Sequence, residues 1–189
     1  MGNTITLAGC INRIGVTTQA IQLVRTLQEN QIKTAYVEMN KTNYLKAVTS
    51  LYSKVKESPE KISYSGIDMY KRNGASQIKE NKYNILVKDY GAASELYFED
   101  DSYADGDLRI LICGSKPDEL MRLKDCLKNP NFQDAFFIFS FVPEEERTSI
   151  LSLLGDKCSK AFFSGYIPDP YHLEKSSVEL FHRILNQVL

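Results

Sequence analysis

A three-layer α/β/α domain around a mostly parallel, twisted sheet is the fold this sequence predicts, on three grounds. Short apolar runs alternate with amphipathic stretches along almost the whole chain, the pattern of strands and helices taking turns in a parallel sheet. Helix openers and breakers fall between the runs, at Thr17, Pro59, Pro117, Pro143 and Gly155. The length of 189 residues, with 43% hydrophobic content, suits one domain over 1–189 that buries roughly 70% of its unfolded surface. There is no repeat, low-complexity tract or linker.

Each element has a local reason. Ile5 to Ala8 reads as a buried first strand, and Ala20, Ile21, Leu23, Val24 and Leu27 recur at helical spacing after Thr17 or Thr18, as far as Asn30. Lys33 to Met39 is the second strand. Tyr44, Leu45, Val48, Leu51, Tyr52 and Val55 form a second helix that must end before Pro59, because the residue preceding proline avoids helical geometry. A polar, hairpin-like passage follows from Ser63 to Asn73. Tyr83 to Val87 is the next strand, ending at Asp89, and the acidic segment Gly91 to Gly106, with few strong anchors, is expected to be a mobile loop. Leu108 to Cys113 is a strand; Ser115 and Pro117 open a helix with Leu120, Leu123 and Leu127 facing inward. Ala135 to Val142, a helix from Pro143 to Gly155, the strand Ala161 to Phe163 and a last helix from about Ser176 to Leu189 complete the series. In such a sheet a ligand sits at the C-terminal ends of the strands, the edge that Gly9 to Thr18, Glu38 to Asn40 and Asp89 to Gly91 share.

Composition excludes several roles. Lys plus Arg number 23 against 24 Asp plus Glu, so no basic excess draws the chain to nucleic acid or anionic lipid. No basic leader precedes the first strand and no apolar run approaches the roughly 20 residues of a membrane span, which gives a cytoplasmic reading. Cys10, Cys113, Cys126 and Cys158 form no CxxC pair, so neither zinc nor a redox motif is indicated. Cys10 reads as a small packing side chain, with a thiol activated by the following helix as the alternative. His172 and His182 have no partner at ligand spacing.

The stretch from Gly9 through Cys10-Ile11-Asn12-Arg13-Ile14-Gly15-Val16-Thr17-Thr18 has the layout of a phosphate-binding loop between a strand and a helix. Together with Ala35 to Asn40, Tyr83 to Asp89 and Ile167-Pro168-Asp169-Pro170 it resembles, in order, the deviant Walker A loop, the acidic end of strand two, the Walker B strand and the closing segment of the ParA/MinD group of P-loop ATPases. That resemblance covers nearly the whole chain. It implies a P-loop NTPase-like fold in which Gly15, Val16, Thr17 and Thr18 flank the phosphates and Thr17 and Asp89 hold magnesium.

The departures are as specific as the matches. Val16 stands at the phosphate-binding lysine, Ile11 at the group's signature lysine, and Asn40 at its water-orienting aspartate. Asn12 and Arg13 replace paired glycines, and a left-handed backbone at Arg costs roughly 1 kcal/mol or more. Losing the loop cation removes charge-assisted bonds of roughly 1.5–3 kcal/mol in binding, and more in a transition state. Asp89 has a second reading as a polar cap at the exposed end of a buried strand, and Glu38 as a hydrogen-bond partner of neighbouring loops. With these changes the resemblance implies a pseudo-ATPase with no catalytic residue and no required cofactor, serving as an interaction module for a protein partner, an active homologue or a second copy of itself. The alternative is a switch that still binds ATP and magnesium weakly through Gly15, Thr17, Thr18 and Asp89.

Two other readings carry less of the chain. Gly9-x5-Gly15 and the Tyr171-x-x-x-Lys175 spacing look somewhat like an NAD(P)-binding short-chain reductase, but Arg13 occupies that loop's middle glycine and Tyr52/Lys56 repeats the spacing. The stripe Val178, Phe181, Leu185 and Val188 resembles a terminal membrane helix, yet Lys175 and Arg183 are its only nearby cations, so it is expected to cover the sheet. Tyr90, Tyr97 and Tyr103 beside the acidic segment suggest either a recognition surface or ordinary anchors.

Overall fold

Strand residues that alternate between two covered faces make the central layer. The computed structural model describes residues 3–59, 61–75, 78 and 82–188. Its strands are β1 (Asn3–Gly9), β2 (Thr34–Glu38), β3 (Lys56–Glu57), β4 (Ile62–Tyr64), β5 (Ile67–Lys71), β6 (Ile85–Ala92), β7 (Leu108–Cys113), β8 (Phe136–Ser140) and β9 (Ala161–Ser164). They form one sheet in the order β3-β4-β5-β2-β6-β1-β7-β8-β9. From β5 to β9 every neighbouring pair is parallel, and only the β3-β4-β5 edge is antiparallel.

The helices are α1 (Val16–Glu29), α2 (Tyr44–Leu51), α3 (Arg72–Ala75), α4 (Asp100–Ala104), α5 (Pro117–Lys128), α6 (Glu144–Leu154) and α7 (Lys175–Leu185). The period of two along the strands assigns each helix its face. Ile110 and Ile112 of β7 and Ile138 of β8 join α1, α2 and α7 through Ile21, Val24, Leu45, Phe181 and Ile184. Leu111 and Cys113, with Phe137 and Phe139, join α4, α5 and α6 through Tyr103, Leu123, Ile150 and Leu154 on the other face. This is the three-layer arrangement the patterning predicts.

The hairpin-like passage is present as the antiparallel pair β4-β5; β5 pairs with β2 and β3 pairs with β4, so three strands extend the sheet. Three expectations need correction. The second helix stops at Leu51, with Tyr52 already extended. Strand β6 does not end at Asp89 but continues to Ala92 across a register shift opposite Leu7 and Gly9, where Gly91 takes φ 72°. The buried stripe of α7 is Ser177, Leu180, Phe181 and Ile184, while Val188 is exposed; Leu189 lies outside the described residues.

The acidic segment is also better anchored than its composition suggests. Tyr103 of α4 is fully buried, its carbonyl accepts from Thr6 Oγ1 at 2.9 Å, and its ring lies 4.9 Å from that of Phe132. Tyr90 hydrogen-bonds Ser102, and Phe98 packs on Phe132 and Tyr103. These aromatic contacts offset the ordering entropy that the charged residues cannot.

Tyr103 has a buried hydroxyl with no hydrogen-bond partner among the described residues. Tyr103→Phe is therefore expected to be neutral or to stabilise the chain by about 1 kcal/mol, whereas Tyr103→Ala should cost about 3–5 kcal/mol. Urea unfolding of the two variants distinguishes ring packing from hydroxyl bonding.

Candidate functional site

The C-terminal edge of β1, β2 and β6 gathers most of the residues singled out from sequence. After Gly9 the chain turns through Cys10 to Gly15 and enters α1, whose cap Gly15 has φ 97° and no side-chain cap bond. Arg13 holds φ 62°, the left-handed conformation in which a non-glycine residue is strained. No acidic residue lies in the first turn of α1, so its positive dipole end is unneutralised locally.

The loop interior is apolar. Ile14 and Val16 are only 5% and 7% exposed and belong to the core cluster of α1 and α7. A Cβ built on Gly9 would lie 2.7 Å from the Cγ2 of each, so their side chains lie directly against the Gly9 backbone. Ile11 packs on the same cluster.

The polar residues form a closed network. Asp89 is fully buried, and its Oδ2 accepts from Thr17 Oγ1 at 2.6 Å and from the Tyr36 hydroxyl at 2.8 Å. Its Oδ1 accepts from the Gly91 amide at 2.9 Å. Burial pushes the carboxyl pKa up, against the lowering effect of these bonds. The reading of Asp89 as a cap on an exposed strand end is thus corrected: the residue is interior. Tyr36, which sequence reasoning missed, sits in an apolar strand run that carries no signal for a hydroxyl reaching across to β6.

Glu38 and Asn40 serve the loop before α2. Glu38 accepts from the amides of Tyr44 at 2.5 Å and Leu45 at 3.4 Å, replacing a side-chain cap at that helix's start; desolvation raises its pKa. The Asn40 amide donates to the Asp89 carbonyl at 3.1 Å, and its oxygen accepts from the amide and hydroxyl of Thr42. Asn12 donates to Glu95, tying the loop to the acidic segment.

Cys10 points to the opposite face, 1% exposed, with its Sγ 3.4 Å from that of Cys113. Its contact with Cys113 and its burial hold the thiol well above the usual cysteine range, which favours the packing reading over an activated thiol. Tyr171 precedes α7 and receives the Tyr44 hydroxyl at 2.8 Å, while Lys175 is the helix's first residue. The two do not occupy adjacent turns of one helix, so the reductase geometry is absent. The closing segment is latched instead by Gln22 of α1, which donates to the carbonyls of Pro170 at 2.9 Å and His172 at 2.6 Å.

Beside the loop is an open cleft of about 430 Å³ whose wall includes Asn12, Arg13, Gly15, Thr17, Thr18 and Thr42 together with the apolar Ile11 and Val16. A nucleoside triphosphate with magnesium does not fit this set well. No lysine enters from the loop, and the Gly9 backbone is covered by apolar side chains. Among the described residues no group of three metal-ligating side chains converges, and no helix is long and apolar enough to cross a membrane.

Two consequences are measurable. If Val16 is core, Val16→Ala costs about 1–3 kcal/mol, whereas a valine facing a ligand space would be near neutral on urea unfolding. Asp89 has a folded pKa above its unfolded one, so its contribution is full below the ordinary carboxylate pKa and is lost as pH rises through the folded value. The stability difference between wild type and Asp89→Asn should therefore shrink from acidic to neutral pH; a difference that grows would contradict the shift.

No protein-family model matches the chain, and no curated protein matches its sequence. Solved structures do. The cell-division protein MinD of Aquifex aeolicus superposes with a TM-score of 0.68 at 10% identity over 98% of both chains. MinD of Pyrococcus horikoshii, complexed with Mg-ADP, gives 0.61 at 14% identity over 100% of this chain and 96% of that one. A plasmid partition protein of Borrelia burgdorferi bound to AMPPNP gives 0.64 at 14% identity, over 98% and 97%. The α/β fold is that of the MinD/ParA P-loop ATPases.

Proposed function

We propose that this chain is a MinD/ParA-like pseudo-ATPase that acts as a protein–protein interaction module and does not turn over ATP. The observation that carries the reading is the burial of Ile14 and Val16 against Gly9. A phosphate-binding loop needs exposed backbone amides around a hollow and a cation beside it; here apolar side chains line that wall. Asn40, at the water-orienting position, uses both ends of its amide to bind Asp89 and Thr42. No carboxylate is left there to act as a base.

The contact surface is the rim formed by the loop and the segment from Tyr90 to Asp107. Asn12 bonds Glu95, Lys41 lies 4.8 Å above the Tyr97 ring, and Leu96 between them is fully exposed. An exposed apolar side chain on a rim held by polar contacts suits a protein partner, either a second copy or a relative of the same fold. A structure of the same fold contains MinD together with MinC.

The second reading, weak nucleotide binding, rests on the preserved Thr17–Asp89 pair and the open cleft beside Thr18. ATP with magnesium is expected to leave the melting temperature unchanged and to release no phosphate above the blank. Saturable stabilisation, which would reach about 2.7 kcal/mol at a hundredfold excess over Kd, would establish the second reading instead. Leu96→Glu should leave the melt unchanged while weakening any self-association seen by sedimentation velocity; an unaltered association would move the interface elsewhere.

A further inference from the structure

Behind the loop, on the sheet face away from Val16, three thiols meet. Cys10 follows β1 and Cys113 ends β7, and these neighbouring parallel strands run in register up to Gly9 and Ile112. The Cys10 amide donates to the Ile112 carbonyl at 3.0 Å, so the two cysteines are the next pair along. Neighbouring strands lie about 4.8 Å apart, within the roughly 4.4–6.8 Å Cα separation that a disulfide spans. The Cys113 thiol donates to the Leu111 carbonyl at 3.6 Å, which leaves its sulfur as the acceptor for Cys10, 3.4 Å away. Cys126 of α5 belongs to the same core cluster as the third member.

The cluster is reachable from one side. An open pocket of about 170 Å³ has Cys10 and Cys126 in its wall, beside Ser94, Asp100 and Arg122. A water molecule takes up about 30 Å³ in the liquid, so a small hydroperoxide fits. Cys113 does not line this pocket and is fully buried.

We propose that Cys10 and Cys113 are an oxidation site that closes an intramolecular disulfide when the chain meets a hydroperoxide. The Cys10 sulfur attacks a peroxide oxygen; the O–O bond breaks, water or an alcohol leaves, and Cys10 becomes a sulfenic acid. The Cys113 sulfur then attacks the Cys10 sulfur. The S–O bond breaks, and the hydroxyl departs as water with the Cys113 proton. Two thiols lose two electrons, and one peroxide gains them. Because burial and hydrogen bonding keep the Cys10 thiol protonated, the reaction is slow at neutral pH and speeds up as pH rises. The new bond pins the first residue of the Cys10–Gly15 loop to β7. It involves no nucleotide and stands whether or not the cleft binds one.

The test uses the full chain carrying Cys158→Ser, since Cys158 is exposed and would cross-link copies. After hydrogen peroxide at mildly alkaline pH, the expected products are a mass lower by two hydrogens, two fewer alkylatable thiols and a peptide pair joining Cys10 to Cys113. Cys126→Ala should retain the mass loss and Cys113→Ala should abolish it. No loss in the Cys158→Ser protein, or a Cys10–Cys126 linkage in its peptide map, overturns the assignment without any core substitution. Trypsin cuts after the exposed Arg13 severalfold more slowly if the bond fixes the loop, with dithiothreitol restoring the rate; equal rates before and after oxidation overturn that consequence.

Discussion

A carboxylate with no exposed surface at the centre of a parallel sheet dictates much of what surrounds it. Asp89 must be hydrogen-bonded to be tolerated there, and its partners come from three elements: Thr17 at the start of α1, Tyr36 on β2 and the Gly91 amide just beyond a register shift on β6. Their agreement on one pair of oxygens sets where α1 enters and how β6 continues. Gly91 is required at that shift because a Cβ would lie 2.9 Å from the Cβ of Asn40, the residue whose amide also binds the Asp89 carbonyl. Every bond in the network is internal to the chain.

The apolar half of the same edge follows a different rule. Ile11, Ile14 and Val16 merge with the core of α1 and α7, while Cys10 turns to the opposite core with Cys113 and Tyr103. A loop whose side chains are divided between two cores derives its shape from packing. That packing offsets the strain at Arg13.

The acidic segment illustrates how composition misleads about order. Glu95, Glu99, Asp100, Asp101 and Asp105 face solvent or polar partners, and charge density of that kind reads as mobility. Two aromatics of the segment decide otherwise, because Phe98 and Tyr103 meet Phe132, from a separate stretch of chain, in one cluster. The segment then presents Leu96 and Tyr97 on a supported surface next to the loop.

The sequence by itself determined the alternation of strands and helices, the layered fold class, and the identity of the side chains at 11, 16 and 40, because periodicity and residue type are local properties. It also placed Gly9 to Thr18, Glu38 to Asn40 and Asp89 on one edge, since parallel strands all end on the same side. Only the tertiary structure decided that β3, β4 and β5 extend the sheet, that Asp89 is interior rather than capping an exposed end, that Tyr36 supplies one of its donors, and that Cys10 meets Cys113 rather than solvent. Each of these joins residues far apart in the chain. A pattern of burial says that a side chain will be covered, but not by what, and the choice of partner belongs to the packing of the whole sheet.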